Sequence, residues 1–269
     1  MSIHPALAQI DQVLLPSVRD LGDSFMVRRA LPAPQRQMVG PFIFLDAYGP
    51  TLLKIDQGFD SRPHPHIGLS TMSYLLQGQV LHRDNQGNAQ VVRPGEVGLM
   101  TAGRGIVHSE RTPRDVRATG GVLQGFQTWI ALPVGHEETA PAFQHVSAED
   151  LPLLEGEGVS LRLLAGTLLG KRAATRTFSD LFAATAPWRA ARACGSTTST
   201  SSERSTSPAA PSRWKGRTEP LALTNWWSSS RARRSCCRPV SPRGFCFWAA
   251  SPSRNSGTCS GISSRAGGS

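Results

Sequence analysis

From about Val27 to Val146 the chain is a succession of short apolar runs separated by turn signals, with few stretches of helical spacing. "VRRALP", "MVGPFIFLDAYG", "GLSTMSYLLQGQVLHRD", "AQVVRPGEVGLMTAG" and "LQGFQTWIALP" are rich in β-branched and aromatic residues. Gly-Pro, Gln-Gly, Asn-Gln-Gly, Pro-Gly and Ala-Gly punctuate them. Such runs favour pleated strands and such dipeptides favour tight turns. Strands this closely spaced predict an all-β sandwich or barrel. "SAEDLPLLEGEG" (147–158) reads as a short capped helix or a turn, and "VSLRLLAGTLLGKRA" as a strand pair opening a second domain. No long repeat, heptad or P-loop is present, and "GRG" and "GEVG" are turn glycines, too short for nucleotide fingerprints.

Composition changes the picture near Phe182. Residues 183–269 hold 13 Lys and Arg, two acids (Glu203 and Glu219), 19 serines, all five cysteines and five of the six tryptophans. The first 182 residues carry a net charge of −1, so the overall +10 belongs to this tail. In the frame given, the tail reads as a disordered basic segment with too little apolar area to offset its ordering entropy. The letters also allow a shifted reading frame. If each third codon base is read with the next two, Phe245, Cys246, Phe247 and Trp248 force Leu, Leu or Phe, Leu and Gly. Asn225 and Trp226 force Leu-Val in the same way. Apolar strands with glycine turns then replace the basic tail, which predicts a frameshift near 182–187. The basic charge therefore does not point to nucleic acid. The absence of an 18-residue apolar run predicts no membrane span. With no basic–apolar–small leader pattern at the start, the expected location is cytoplasmic.

Candidate chemistry lies in two short motifs, "HPH" at 64–66 and "HSE" at 108–110. In a strand, residues i and i+2 share a face. His64 and His66 can therefore project together, and so can His108 and Glu110. On facing strands the four would offer three imidazoles and a carboxylate to one divalent first-row metal ion. Nitrogen and oxygen donors without thiolate favour iron(II), manganese, nickel or copper over a closed structural zinc site. His82 reads as a strand-end residue or one lying behind the ligands. His4, His136 and His145 have no partner in the pattern and read as surface residues. Asp84 and Glu96 sit in turns and read as solvated, and Trp129 as core or pocket wall.

On these residues the chain resembles the pirin family, bicupin proteins of the cupin superfamily. The resemblance rests on "VRRALP" (27–32), "MVGPFIFLDAYGP" (38–50), "HPHIG" (64–68), "YLLQG" (74–78), "HRDNQG" (82–87), "RPGEV" (93–97), "MTAGRGIVHSE" (100–110) and "LQGFQTWIALP" (123–133). It implies a cupin fold, a double-stranded β-helix or jelly-roll barrel, with metal ligands at His64, His66, His108 and Glu110. It further implies an N-terminal segment (1–24), a metal-binding cupin domain (25–146), and a linker with the start of a second cupin (147–182). The second barrel would be disrupted or absent over 183–269 in the frame given. The expected cofactor is one divalent ion, Fe2+ first, with Mn, Ni, Cu or Zn as alternatives.

Two functions follow from that resemblance. One is a quercetin 2,3-dioxygenase type of oxidoreductase, which opens a flavonol-like small molecule with O2 and releases carbon monoxide. Glu110, the one acid in the proposed ligand set, would serve as catalytic base. The other is a non-enzymatic iron-dependent redox sensor that regulates transcription or metabolism through a protein partner.

Overall fold

The apolar runs become strands whose burial follows from where each lies in three sheets. The computed structural model describes residues 12–22, 25–156, 159–188, 221–225, 244–250 and 260–264. Twelve strands precede residue 147: β1 (Gln12–Leu14), β2 (Ser17–Asp20), β3 (Met26–Leu31), β4 (Phe42–Leu53), β5 (Asp60–His66), β6 (Leu69–Gln77), β7 (Val80–Asp84), β8 (Ala89–Val92), β9 (Val97–Thr101), β10 (Ile106–Arg111), β11 (Gly121–Ala131) and β12 (Ala142–Val146). A seven-stranded sheet runs β12-β9-β6-β11-β4-β3-β2, and a four-stranded sheet runs β5-β10-β7-β8. The pairings within both are antiparallel. Two such sheets packed face to face form the predicted jelly roll.

The middle strands of the larger sheet are buried on both faces, so they read as nearly continuous apolar runs rather than as clean alternation. In β6 one face carries Met72 and Tyr74 and the other carries Ser73 and Leu75, and all four are buried. Leu75 packs with Val80 and Val92 of the smaller sheet. Met72, Phe42, Leu45 and Val97 pack instead with Leu151, Leu164, Leu181 and Ala183. The smaller sheet has one wet face, and β10 alternates accordingly: Ile106, His108 and Glu110 are buried, while Val107 and Arg111 are exposed.

A third sheet contains β13 (Leu153–Gly156), β14 (Val159–Leu168), β15 (Lys171–Arg172), β16 (Phe182–Trp188), β17 (Leu221–Asn225), β18 (Gly244–Ala250) and β19 (Ser260–Ser264). Its order is β1-β17-β19-β18-β16-β14-β13, with β15 on β14. The 147–158 stretch takes the turn alternative at 148–150 and then enters β13. β17 to β19, and all of β16 after Phe182, thus fall within the span read as a disordered tail. The rest of that span lies outside the described residues.

One helix occurs among the described residues, α1 (Arg114–Thr119), which the strand pattern does not anticipate. Pro113 precedes it and Gly120 ends it, and Arg117 makes two 2.7 Å bonds to Asp60 at the start of β5. No helix among the described residues is long and apolar enough to cross a membrane.

Candidate metal centre

The site forms on the inner face of the smaller sheet, where β5 and β10 run antiparallel with His64 opposite His108. The pleat sends His64 and His66 to the same side, as the i, i+2 spacing requires. The ligand atoms of His64, His66 and His108 all lie within 4.8 Å of one another. His64 Nε2 is 3.1 Å from His108 Nε2. His64 Nδ1 lies 2.7 Å from the Arg62 carbonyl oxygen, which can only accept, so Nδ1 carries the proton and Nε2 presents a lone pair to the cluster.

Burial, reinforced by His64, pushes His66 down to about 4. Burial also pushes His108 down to about 3, aided by His64, His82 and His66 and opposed by Asp84. Both imidazoles are therefore neutral near pH 7, the state in which nitrogen binds a metal ion. Three imidazoles converging on one point, with at least one bare nitrogen aimed inward, suit a divalent first-row ion.

These shifts predict a pH dependence for the metal-free protein. The folded pKa values lie below the ordinary imidazole value, so the unfolded chain takes up protons first as pH falls. Stability from these two groups is complete above about pH 6.5 and is lost between there and the values of about 4 and 3. Urea midpoints at pH 7.5, 6 and 4.5 should fall in that order, and saturating divalent ion should steepen the fall.

Glu110, the fourth expected ligand, faces inward from β10 two residues beyond His108. Its carboxylate is buried but falls outside the imidazole cluster. A register shift between His108 and Glu110 breaks the regular pairing with β5. The Glu110 oxygens instead accept from Ser73 Oγ at 3.1 Å and Gln127 Nε2 at 2.7 Å. Among the described residues no cationic side chain pairs with it. Tyr48, on β4 of the larger sheet, is pushed up by burial and then by the Glu110 charge.

Ser73 and Gln127 are site residues that the sequence reading missed. Their signal was weak: polar residues at inward positions of apolar strands, recognisable only once the facing side is known. Trp129, read as core or pocket wall, is half-buried beside His66. It stacks on Phe44 at 4.2 Å and meets the His66 ring edge-on at 5.0 Å.

His82 does lie behind the cluster, buried, with Nδ1 3.4 Å from His108 Nδ1 and its ring stacked on Phe143. Asp84 is not solvated. Its side chain is fully buried, with Oδ2 3.0 Å from His82 Nε2. Burial alone would raise its carboxyl, but hydrogen bonds from His82, Asn88 and the Gln86 amide hold it below the usual carboxylate value. His145 and Glu96 also depart from expectation, forming a 2.8 Å pair across β12 and the turn before β9.

A jelly-roll barrel with inward-facing imidazoles on its smaller sheet is a cupin. Residues 24–130 match the family model described as Pirin. A pirin-like protein of Caulobacter vibrioides is 45% identical over 176 residues, 64% of this chain and 60% of that protein. A Pseudomonas aeruginosa protein provisionally named quercetin 2,3-dioxygenase PA1205 is 45% identical over 165 residues, 61% of this chain and 50% of that one. A crystal structure of quercetin 2,3-dioxygenase from Acinetobacter baumannii aligns with a TM-score of 0.62 at 35% identity, covering 67% of this chain and 58% of that one. The chain thus spans between 50% and 60% of the length of these relatives.

Proposed function

We propose that His64, His66 and His108 hold one divalent metal ion, iron(II) first among iron, manganese, nickel, copper and zinc. In this reading the protein is a dioxygenase that opens flavonol-like substrates. The observation that carries it is the convergence of three imidazoles beside a buried carboxylate inside the barrel. The names of the Pseudomonas and Acinetobacter relatives support the reaction type. When bound, such an ion supplies Lewis acidity that lowers the pKa of a coordinated hydroxyl.

The protein's own residues do the rest. Glu110, the acid beside the cluster, takes the proton of the flavonol hydroxyl. Ser73 and Gln127 hold its two oxygens in place, so the base does not have to be ordered during reaction. Trp129 and Phe44 form a flat apolar wall next to His66 that excludes water and suits an aromatic substrate. The overall reaction balances as one flavonol and one O2 giving a ring-opened ester and one carbon monoxide, with both dioxygen atoms in the ester.

The test loads the metal-free full chain with each ion, adds quercetin in air, and follows flavonol absorbance and carbon monoxide. A protein whose frame is restored by one base near codons 182–187 is run in parallel. Ion- and O2-dependent carbon monoxide release in either protein is expected. No turnover in either protein with any ion would sink the dioxygenase reading. Partner binding that tracks iron oxidation state, without turnover, would support the regulator instead.

A further inference from the structure

We infer that Asp84 and His82 form a hydrogen-bond relay that sets the tautomer of His108, and so decides whether its Nε2 is free to bind a metal ion. Both are positioning residues, since neither reaches the cluster directly.

The direction of each bond follows from what each atom can do. Asp84 Oδ1 accepts from Gln86 N at 2.9 Å, Asn88 N at 3.1 Å and Asn88 Nδ2 at 3.1 Å. Its Oδ2 accepts from Asn88 Nδ2 at 2.8 Å and faces His82 Nε2 at 3.0 Å. An ionised carboxylate has no proton to give, so His82 Nε2 is the donor. With its proton directed at Asp84, His82 presents Nδ1 as the acceptor toward His108 Nδ1 at 3.4 Å. His108 Nδ1 must therefore carry the proton, and His108 Nε2 is bare.

That bare atom is the one facing His64 Nε2 at 3.1 Å. His64 reaches the same state by a shorter route, through the Arg62 carbonyl. A free neutral imidazole prefers its proton on Nε2, which at His108 would point into the cluster and block it. The relay reverses that preference. Its rotation is restrained as well, because His82 is stacked on Phe143 at 4.0 Å and buried with Asp84.

Asp84→Asn is a reversing mutation at nearly constant shape. The three donors around Oδ1 hold the amide oxygen at that position, which leaves the amide nitrogen facing His82. It would donate to His82 Nε2, move the His82 proton to Nδ1 and force the His108 proton onto Nε2. The Asn88 amide, which also faces Oδ2, would turn to accommodate it.

Two readouts test this on the full chain. The first is two-bond 1H–15N correlation of the histidine rings in metal-free protein, which reports which nitrogen bears the proton. The second is zinc affinity by calorimetry. In the parent, His108 is expected as the Nδ1–H form, and in Asp84→Asn as the Nε2–H form with affinity weaker by roughly 10–100-fold. His82→Phe keeps the ring stacking while removing the acceptor, and is expected to shift both readouts in the same direction. It serves if Asp84→Asn does not fold.

An unmoved His108 tautomer overturns the relay. So does a moved tautomer with zinc affinity within twofold of the parent. Only the affinity arm rests on the metal-site reading. A parent that binds no zinc while Asp84→Asn moves the tautomer would refute that reading and leave the relay standing.

Discussion

A His108→Ala protein is expected to bind divalent ions weaker by on the order of a hundredfold or more, while remaining folded. Affinity in an imidazole site comes from several nitrogens already neutral and already aimed. His108 is the most connected of the three, facing His64 on the cluster side and His82 on the other. Its truncation removes one of the three nitrogen ligands, while His64 stays held by the Arg62 carbonyl. Fold survival is expected because His108 lines a polar interior, whereas the barrel is held by apolar clusters around Leu75 and Leu45. Removing an uncharged buried imidazole also relieves the burial that pushes its pKa down. Metal-free His108→Ala should therefore lose less stability on acidification than the parent. Calorimetric titration with zinc and manganese, beside circular dichroism at pH 7.5 and 5, checks both halves. Undiminished affinity would remove His108 from the site.

How much of this was legible in the sequence depends on whether a signal was local. His64 and His66 lie in one strand two residues apart, so their common face follows from strand geometry alone. Pairing them with His108 needed the guess that the two strands come together; they do so as hydrogen-bonded neighbours of one sheet rather than as facing strands, with His64 opposite His108. Glu110 shares the inward side of β10, yet its environment comes from β6 and β11, 37 and 17 residues away in sequence. The register shift that separates it from β5 has no sequence mark. Asp84 was misread for a different reason. "HRDNQG" does mark a turn, and turn residues are usually solvated. Here one carboxylate oxygen caps the turn through Gln86 and Asn88, which leaves the other pointing inward at His82. The helix α1 was hidden because six residues between Pro113 and Gly120 are too few to show helical periodicity.

A Gly103→Ala protein is expected to lose about 3 kcal/mol or more of stability, with a melting point lower by roughly 6–12 °C. Two effects act there, and a second glycine separates them. Gly103 has φ +52°, a left-handed conformation that costs an alanine about 1–2 kcal/mol. A Cβ at Gly103 would also overlap the carbonyl oxygen of Thr139. That oxygen cannot withdraw freely, because it accepts from Arg104 N at 3.0 Å. Gly87 shares the positive φ, +89°, but a Cβ there meets nothing within 4 Å. Gly87→Ala should therefore show the conformational cost alone. The difference between the two variants isolates the close approach, which is expected to be the larger share. Position adds a functional consequence. The Gly103 carbonyl accepts from Gly68 N at 2.8 Å, tying the turn before β10 to the end of β5. His66 and His108 lie on either side of that tie. Gly103→Ala should thus weaken zinc binding as well as stability, whereas Gly87→Ala should leave zinc binding unchanged. Thermal unfolding and zinc titration of both variants decide it: equal melting points would show that the approach to Thr139 contributes nothing.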